Sequence, residues 1–449
     1  MRKQTLTVAL ALALAGCASG VKKNASYESE LISHLCSPDF FTLNESRIKR
    51  NSDVIYTGIN AGLVARNCDQ FEKSNEFFDA AEEAYKEDVD LQGVLGKGSR
   101  LLVGNLVNET VLDYQGTLYE RIMLNSYKGL NYMSLGDFEN ARVEFNRALA
   151  RQDKAKEYFA SEIAKNRKEL EKETEKADAE NIKTLNNEIT ASYDSLFKEF
   201  STTKEFVNPY VTWLASVFFY MDNDYIKASD LFREVAIIYP KDKNLQAQRR
   251  LFDQRAKQVR QRDNKKYIFV AYEDGFGTEK AEFKLTLPLI IEGRIITSSF
   301  ALPTLKKRAA SYGDISVNNV KASEITDFDT VIATEFKTTL PGEIAKSIAS
   351  TITKTAANVL VAKHDSTGGL LALASSVATT LMTQADVRSW QGLPKTASVV
   401  MVENTGKIEI RSIEGTTLVT REVDASKNVL VVVRSFAPQF TTNIDIIER

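Results

Sequence analysis

The chain has 449 residues, of which 43% are hydrophobic and 26% are charged. At about 100 to 200 residues per domain, this length predicts two or three domains with sizeable cores. With only 8 Pro and 21 Gly, the composition excludes a collagen-like or a wholly disordered protein. The formal net charge is −2 and the sequence has no block of Lys and Arg, so we expect no nucleic-acid partner.

The N-terminus has the composition of a bacterial secretion signal. Arg2 and Lys3 give it a positive start, and the apolar run from Leu6 to Ala15 is too short to span a bilayer. The Leu-Ala-Gly-Cys sequence that ends at Cys17 resembles the lipobox of bacterial lipoproteins, in which the signal is removed before the cysteine and that cysteine carries the lipids. An ordinary signal peptide with an incidental cysteine is the alternative interpretation.

The lipobox resemblance implies a cleaved signal peptide over residues 1–16, lipidation of Cys17 and a lipidated tether over residues 17–30. Acyl chains hold a protein on a membrane at about 0.8 kcal/mol per buried methylene, so no spanning helix is required. Ala18, which is not Asp, implies the outer rather than the inner membrane. We therefore expect an outer-membrane lipoprotein that faces the periplasm.

Cysteine and histidine usage limits the chemistry of the mature chain. Cys36 and Cys68 remain after Cys17 is lipidated, and they form either a disulfide or two buried free thiols. The two histidines, His34 and His364, lie far apart in the sequence and have no metal-ligand spacing around them. We expect no metal, no cofactor and no histidine-based catalysis.

Residues 31–262 have a helical pattern, and one segment of this helical domain resembles a tetratricopeptide repeat. Its small residues let two helices pack closely, its aromatic residues fill the space between them, and a Gly-Asp pair turns the chain. In chain order these residues are Gly129, Tyr132, Gly136, Asp137, Phe138, Ala141, Phe145 and Ala148. The two weaker copies consist of Gly62, Phe71, Ser74, Phe78 and Ala81, and of Ser216, Phe219, Tyr225, Ala228, Phe232 and Pro240. The resemblance implies an N-terminal tetratricopeptide-like α-solenoid.

In tetratricopeptide arrays the first helix of each repeat lines a concave surface, so the resemblance also implies a partner-binding groove. The corresponding positions in this chain are Tyr56, Ile59, Met123, Leu130, Tyr210, Trp213 and Tyr220. Tyr210, Trp213 and Tyr220 lie on one helical stripe, and such an aromatic groove suits a peptide or helix from another protein. The alternative is that the stripe packs against another part of the same chain.

An insertion at about 154–198 separates the second and third copies. It is rich in Lys and Glu and repeats apolar residues at spacings of three, four and seven, which predicts long amphipathic helices in a projecting pair. The charged residues either lie on a face exposed to water, or the insertion is an arm that docks a partner.

Residues 263–449 change from helical to alternating periodicity, which predicts an α+β domain with an antiparallel sheet. Extended segments are predicted at residues 267–272, 281–291, 294–302, 397–403, 407–413, 417–423 and 428–436, and helices at residues 343–362 and 370–384. Turn residues at Asn404-Thr405-Gly406 and Glu414-Gly415 separate the last strands. We expect the helices to cover one face of the sheet.

Short motifs are distributed along the C-terminal domain. The most specific is Ala385-Asp386-Val387-Arg388-Ser389-Trp390, which Leu393-Pro394 follows. The others are Glu273-Asp274-Gly275-Phe276-Gly277, Leu287-Pro288, Leu302-Pro303, Asp327-Phe328-Asp329 and Glu335-Phe336. Together with the repeats, these motifs resemble a little-characterised family of outer-membrane lipoproteins of Gram-negative bacteria, although Thr278 replaces a proline of the family. The resemblance covers nearly the whole mature chain and implies an envelope location without an established chemistry.

Asp386, Arg388 and Trp390 are the best candidates for a functional site in the C-terminal domain. Arg388 is placed to pair bidentately with Asp386 while Trp390 packs beneath the sheet, which is a structural role. If these side chains are exposed, the alternative is that they stack on a sugar ring or hold a carboxylate of a partner.

Acidic residues of the same domain are candidates for the paired carboxylates of glycan hydrolysis, which requires two acids across the scissile bond. They are Asp274, Asp327, Asp329 and Glu335. Because nothing in the sequence sets the distances between them, we assign no catalytic residue and expect a protein that is not an enzyme.

The sequence therefore predicts an outer-membrane-anchored periplasmic lipoprotein that acts as a non-enzymatic protein–protein interaction scaffold in cell-envelope assembly. Its expected partners are envelope proteins that the helical repeats bind, and it contacts the membrane only through its lipids. The alternatives are a lipoprotein that binds glycan or peptidoglycan through Trp390 and neighbouring acids, and a regulator of a peptidoglycan synthase.

Overall fold

The computed structural model of the chain describes residues 19–91, 113–176, 179–203, 208–257, 265–291, 294–363 and 385–449. Cys17, the predicted signal peptide, His364 and the helix predicted at 370–384 lie outside these ranges. The described chain combines α-helices with β-sheets, in agreement with the predicted mixture of α and α+β structure.

The helices are concentrated in the N-terminal half and the strands in the C-terminal half. The helices are α1 (Ser19–Ser33), α2 (Pro38–Lys49), α3 (Val54–Asn67), α4 (Phe71–Leu91), α5 (Leu118–Ser134), α6 (Phe138–Lys176), α7 (Ala179–Ser192), α8 (Asp194–Glu199), α9 (Pro209–Met221), α10 (Tyr225–Ile238), α11 (Lys243–Lys257) and α12 (Phe328–Lys363). The strands are β1 (Tyr267–Asp274), β2 (Glu279–Ile291), β3 (Arg294–Lys306), β4 (Ile315–Val317), β5 (Val320–Lys321), β6 (Ser323–Asp327), β7 (Thr396–Glu403), β8 (Lys407–Ser412), β9 (Thr417–Glu422), β10 (Val429–Ser435) and β11 (Asn443–Glu448).

Successive helices pair into hairpins at α3–α4, α5–α6 and α9–α10. In the first two hairpins a glycine of the first helix lies directly against an aromatic ring of the second. A Cβ atom on Gly62 would lie 2.5 Å from the Phe78 ring, and a Cβ atom on Gly129 would lie 2.8 Å from the Phe145 ring. The close packing of small residues on aromatic residues that the sequence predicts is therefore present in these hairpins.

Local capping residues determine where several helices begin. Thr117 and Glu120 form a capping box at the start of α5, in which each side chain accepts a hydrogen bond from the backbone of the other. Asp327 caps α12 by accepting from the N–H of Asp329 at 3.0 Å. Because this cap starts the helix at Phe328, the helix predicted at 343–362 is the C-terminal part of the longer α12.

A five-stranded sheet, with strand order β11-β10-β1-β7-β6, is buried on both faces. β1 pairs with β10 in parallel and with β7 in antiparallel orientation, so the sheet is not antiparallel throughout. Phe269 and Leu430 contact the helices, whereas Val270 and Val431 contact a four-stranded sheet of order β5-β4-β8-β9. Burial of both faces explains why β10 reads as a nearly continuous apolar run. The last four predicted strands are present, but they belong to two sheets.

β2 and β3 form a separate two-stranded ribbon that packs on α12. The hydroxyl groups of Ser298 on the ribbon and Thr355 on α12 are 3.0 Å apart. Helix α7 packs on the same unit through buried Ile189, and Tyr193 donates to the Pro303 carbonyl at 2.6 Å. The second helix of the predicted insertion therefore packs on its own chain and is not a free arm.

One hydrophobic core extends from the helical hairpins to the inner face of the five-stranded sheet. It contains Phe78 and Trp213 from the helices as well as Phe269 and Leu430 from the strands. Within the residues described above, no helix is both long enough and apolar enough to cross a lipid bilayer.

Candidate functional site

The residues predicted to line an open partner groove are all buried. Tyr56, Ile59, Met123, Leu130, Tyr210, Trp213 and Tyr220 are each at most 1% exposed. They belong to the core that the helices share with the C-terminal half of the chain. The prediction of a free groove is wrong, because contact with the same chain removes this apolar stripe from water.

The aromatic stripe on α9 is covered by α11 and by the five-stranded sheet. Trp213 Nε1 donates to Gln248 Oε1 on α11 at 3.0 Å. The ring centroid of Tyr220 lies 4.7 Å from that of Phe252 on α11 and 5.3 Å from that of Phe269 on β1. This stripe is therefore an internal contact between the third hairpin and the sheet.

Glu273, near the end of β1, connects two helical hairpins to the sheet. Its carboxylate accepts hydrogen bonds from Tyr210 Oη at 2.7 Å and from Tyr127 Oη at 3.1 Å. Arg434 of the neighbouring strand β10 lies 3.8 Å from the same carboxylate. Burial first, and the Glu273 charge second, raises the pKa of both tyrosines well above its ordinary value. Both hydroxyl groups therefore stay protonated and remain hydrogen-bond donors.

Part of the C-terminal half lies along the inner face of the first two hairpins. This stretch, residues 385–394, is called the inserted segment below, and it forms neither helix nor strand. Asn24 of α1 donates to the Val387 carbonyl at 3.2 Å. On the opposite side, Arg434 of β10 donates to the Gly392 carbonyl at 3.0 Å. The inserted segment is therefore held by the helices on one side and by the sheet on the other.

Side chains of the helices bond the backbone of the inserted segment directly. Asn60 Nδ2 donates to the Ser389 carbonyl at 3.3 Å, and Asn60 Oδ1 accepts from the Gln391 N–H at 2.9 Å. Glu120 Oε1 accepts from the N–H of Trp390 at 2.8 Å. These bonds satisfy peptide groups that would otherwise be buried without a partner. The inner face of the hairpins therefore holds a peptide segment that belongs to the same chain.

Trp390 packs between the first and second hairpins, so the prediction that it packs beneath the sheet is wrong. Its ring centroid lies 5.7 Å from that of Phe78 and 5.7 Å from that of Tyr127. Gly392 passes so close to α1 that a Cβ atom on it would lie 2.6 Å from Leu31. Because Trp390 is only 3% exposed, it is not available to stack on a sugar ring.

Arg388 makes the predicted bidentate pair with Asp386. Its Nε and Nη2 atoms each lie 2.8 Å from an oxygen of the Asp386 carboxylate, and Nη1 lies 2.8 Å from Asp53 Oδ1 at the start of α3. Burial alone lowers the pKa of Arg388, but the two carboxylates outweigh it and raise the pKa above its ordinary value. The guanidinium is therefore charged and connects the inserted segment to the first hairpin.

A cavity of about 280 Å³ lies beside the inserted segment, between α5, α12 and the ribbon. Arg388 and Glu335 are among the residues that line it. The Glu335 carboxylate accepts from the N–H groups of Leu118 at 2.7 Å and Tyr119 at 3.1 Å, at the N-terminus of α5. Burial, which dominates over these hydrogen bonds, raises the pKa of Glu335 to about 7.

The other acids considered for glycan hydrolysis have separate structural partners. Asp274 accepts from the backbone N–H groups of Ser311, Tyr312 and Gly313. Asp327 caps α12, and Asp329 accepts from Thr278 and Lys395. Of the four acids, Glu335 lines the cavity, and the structure does not bring them together as a pair across that cavity.

Cys36 and Cys68 form a disulfide, which is one of the two arrangements that the sequence leaves open. Their Cα atoms are 5.7 Å apart. The bond connects the loop between α1 and α2 to the C-terminal end of α3. It therefore fixes α1 to the first hairpin. The prediction of a tether over residues 17–30 is wrong for its larger part, because α1 begins at Ser19 and packs on the fold through buried Asn24 and Tyr27.

Asn60 and Glu120 are not among the predicted site residues, and Glu273 is predicted only as part of a motif without a role, yet all three hold the inserted segment and the sheet against the helices. Asn60 is a polar residue within the apolar run of α3, and a buried polar group of this kind requires a partner. That interruption is the signal from which Asn60 could have been found. Glu120 and Glu273 stand beside Arg121 and Asp274, so the sequence carries no comparable signal for them. No protein-family model matches the chain, and neither a curated protein nor a solved structure is similar to it at a significant level.

Proposed function

We propose that the chain is a lipid-anchored adaptor on the periplasmic face of the bacterial outer membrane, which binds other envelope proteins and catalyses no reaction. The lipobox-like sequence at Cys17 supports the anchor and the location. The disulfide between Cys36 and Cys68 supports an oxidising compartment. The motifs that resemble the Gram-negative lipoprotein family support the same compartment.

The observation that carries this proposal is that the helical hairpins hold a polypeptide segment without regular secondary structure by its backbone. Asn60 and Glu120 contribute three hydrogen bonds to peptide groups of the inserted segment. We interpret the hairpins as a tetratricopeptide-like solenoid, since Gly62 and Gly129 repeat one close contact with an aromatic ring. Repeat arrays of this kind serve protein–protein recognition. Because the inserted segment fills the inner face, the proposed partner binds the outer surface of the hairpins.

A non-catalytic role is supported by the contacts of the candidate acids. Asp274 and Asp329 already accept several hydrogen bonds, and Asp327 caps a helix. Carboxylates committed to the fold in this way are not placed as an acid and base across a scissile bond.

The cavity supports a glycan ligand as a second candidate function. Its lining combines the charged side chains of Lys280 and Asp386 with the aromatic rings of Tyr119 and Phe336. Apolar walls with a small number of polar groups are typical of small-molecule sites. Trp390 takes no part in this candidate because it is buried.

Photo-crosslinking in intact cells tests the adaptor proposal. A photoreactive amino acid is placed at Ile226 or Ile237, which are 68% and 70% exposed on α10. The same amino acid at Ile413, which is 56% exposed beside β8, controls for random collisions. We expect both α10 positions to crosslink to one envelope protein that Ile413 does not capture. If all three positions capture the same abundant proteins and purified sacculi retain the chain, the adaptor proposal fails and the glycan candidate is favoured.

The anchor is tested separately by metabolic labelling with a palmitate analogue. We expect the natural chain to be labelled and the Cys17→Ser variant to remain unlabelled and to leave the membrane fraction. A natural chain that never acquires the label, or that fractionates with the cytosol, would contradict the proposed location.

A further inference from the structure

The cavity beside the inserted segment has an acidic lining. Its charged residues are Asp113, Glu335, Glu343, Asp386, Lys280 and Arg388. Arg388 is already paired with the carboxylates of Asp386 and Asp53. The acids that remain outnumber Lys280, so the lining repels an anionic ligand and attracts a cationic one.

Glu335 presents a buried carboxylate to this cavity without a cation beside it. The residue is 6% exposed, and its two oxygens are oriented by the N–H groups of Leu118 and Tyr119. Among the residues that the structure describes, no Lys, Arg or His forms a salt bridge with Glu335, and Lys280 acts on it only over a longer distance. A buried carboxylate is costly to ionise without a paired cation, and a cationic ligand would supply that partner.

The hydroxyl group of Tyr85 on α4 is a second, independent indication of a ligand. Tyr85 is 2% exposed, and its Oη atom has no hydrogen-bond partner in the described part of the chain. The hydroxyl lies against Gly116 of the cavity wall, where a Cβ atom on the glycine would be 2.4 Å from it. The charge of Glu335 acts on the same hydroxyl. Because buried polar groups almost always have a partner, this hydroxyl indicates that a polar ligand atom belongs at this end of the cavity.

The remaining walls of the cavity are apolar and aromatic. They include Ile332, Leu305, Phe336 and Tyr119. Aromatic rings attract ammonium groups, and aliphatic side chains favour an apolar body next to that charge. The volume of about 280 Å³ lies near the lower end of the range of ligand pockets, about 300 to 1,000 Å³, so the cavity admits a small molecule.

We propose that the cavity binds a small organic ammonium ion. Its charge pairs with the Glu335 carboxylate, the Tyr85 hydroxyl accepts one of its hydrogen bonds, and its apolar body lies against Ile332, Leu305 and Phe336. A neutral glycan, the other candidate for this cavity, would leave the Glu335 carboxylate without a counter-charge. The site does not depend on the adaptor role, because the proposed protein partner binds the outer surface of the hairpins.

Binding of an ammonium ion to Glu335 is linked to pH. Burial is the largest cause that raises the pKa of Glu335 to about 7, and the charge of Glu120 on α5 adds to it. The N–H groups of α5 and the charge of Lys280 on β2 act in the opposite direction. Tyr85 and Tyr119 stay neutral, because burial raises the pKa of both above its ordinary value. The ligand pairs with the ionised carboxylate, so its affinity should rise about tenfold from pH 6 to pH 8.

Titration calorimetry of the chain with cyclohexylamine and cyclohexanol tests the proposal. The two probes have nearly the same shape, and the amine, with a pKa near that of lysine, about 10.4, stays charged at pH 8. We expect one equivalent of cyclohexylamine to bind at pH 8, about tenfold more weakly at pH 6, and cyclohexanol to bind at least about tenfold more weakly than the amine at pH 8. No binding of the amine, equal affinities of the two probes, or the same affinity at both pH values overturns the proposal. Binding of N-acetylglucosamine by a chain that does not bind the amine also overturns it and favours the glycan candidate.

Two variants locate the bound amine in the cavity. We expect Glu335→Gln to weaken the affinity for cyclohexylamine at least about tenfold and to remove its pH dependence, whereas Glu139→Gln, at an exposed position on α6, leaves both unchanged. Thr339→Phe adds a ring to the cavity wall one turn from Glu335, and the hydroxyl that it removes bonds only carbonyl groups of α12. This variant keeps the test valid if Glu335→Gln fails to fold, and we expect it to lose binding. Unchanged affinity in either cavity variant overturns the proposal.

Discussion

Asn60 bonds the peptide groups on both sides of Trp390, although Asn60 and Gln391 are separated by 331 positions in the chain. The same amide therefore fixes the backbone of the inserted segment and the position of the indole ring between Phe78 and Tyr127. This polar side chain on α3 therefore joins the C-terminal half to the first hairpin, together with Glu120 and the pair of Arg388 with Asp53.

Replacement of Asn60 by Ala is expected to reduce the free energy of unfolding by about 2 to 4 kcal/mol, because a buried carbonyl and a buried N–H lose their partner. Urea unfolding of the chain measures the change. Asn187→Ala is the matched control, since Asn187 is exposed on α7 and its replacement should change the free energy by less than about 0.5 kcal/mol. Equal stability of the two variants would show that the inserted segment does not depend on Asn60.

Replacement of Arg388 by Met leaves the Asp53 and Asp386 carboxylates without their guanidinium. The side chains of Arg388 and Asp53 are 6% and 9% exposed, so we expect a loss of about 3 to 5 kcal/mol in thermal or urea unfolding. Arg411→Met removes an exposed pair with Glu409 and should cost less than about 1 kcal/mol. A loss at Arg388 as small as at Arg411 would contradict a buried charge network.

The raised pKa of Glu335 predicts that its protonation makes stability depend on pH. Because its pKa is about 7 in the folded chain and ordinarily 4.5, the folded state binds the proton more tightly than the unfolded state. The contribution of Glu335 to the free energy of unfolding therefore falls as the pH rises from about 4.5 to about 7, by up to about 3 kcal/mol.

Urea unfolding at pH 5 and pH 8 checks this dependence in the natural chain and in Glu335→Gln. We expect the natural chain to lose more stability between the two pH values than the variant does. Glu139→Gln, at an exposed position on α6, should behave like the natural chain. The same pH dependence in all three chains would show that the pKa of Glu335 is not raised by burial.

A methyl group on Gly129 is expected to destabilise the second hairpin. The Cβ atom of Gly129→Ala would lie 2.8 Å from the Phe145 ring, so we expect a loss of about 1 to 3 kcal/mol in urea unfolding. Combination with Phe145→Leu, which makes room for the methyl group, should cost less than the sum of the two single changes. Simple additivity of the two losses would indicate that this contact does not set the spacing of the hairpin.

The helical hairpins could be predicted because their signals are local. Gly129 and Phe145 lie close together in the sequence, and the spacing of small and aromatic residues is visible without any distant contact. The alternating strands after residue 396 follow from the same kind of short-range pattern. Strand β11 is not predicted from the sequence, because its six residues form a strand only by pairing with β10.

The partner of the aromatic stripe could not be predicted from the sequence. The same periodicity is expected whether Trp213 and Tyr220 contact another protein or a distant part of the same chain. What decides between the two is the position of Gln248 and Phe269, and no local pattern connects these residues to α9. In the same way, the pairing of Arg388 with Asp386 is local and was predicted, whereas its contact with Asp53 was not.

The inserted segment lies in the C-terminal half, so a ribosome completes the three helical hairpins, which end at Ile238, long before it reaches residues 385–394. Until then, the aromatic rings that later surround Trp390 have nothing to cover them and remain in water. Nascent chains with such surfaces are prone to associate with one another, and holding proteins that recognise apolar surface protect them. A chain that stops short of residue 385 should therefore aggregate or be degraded, even though every helical hairpin is already encoded in it.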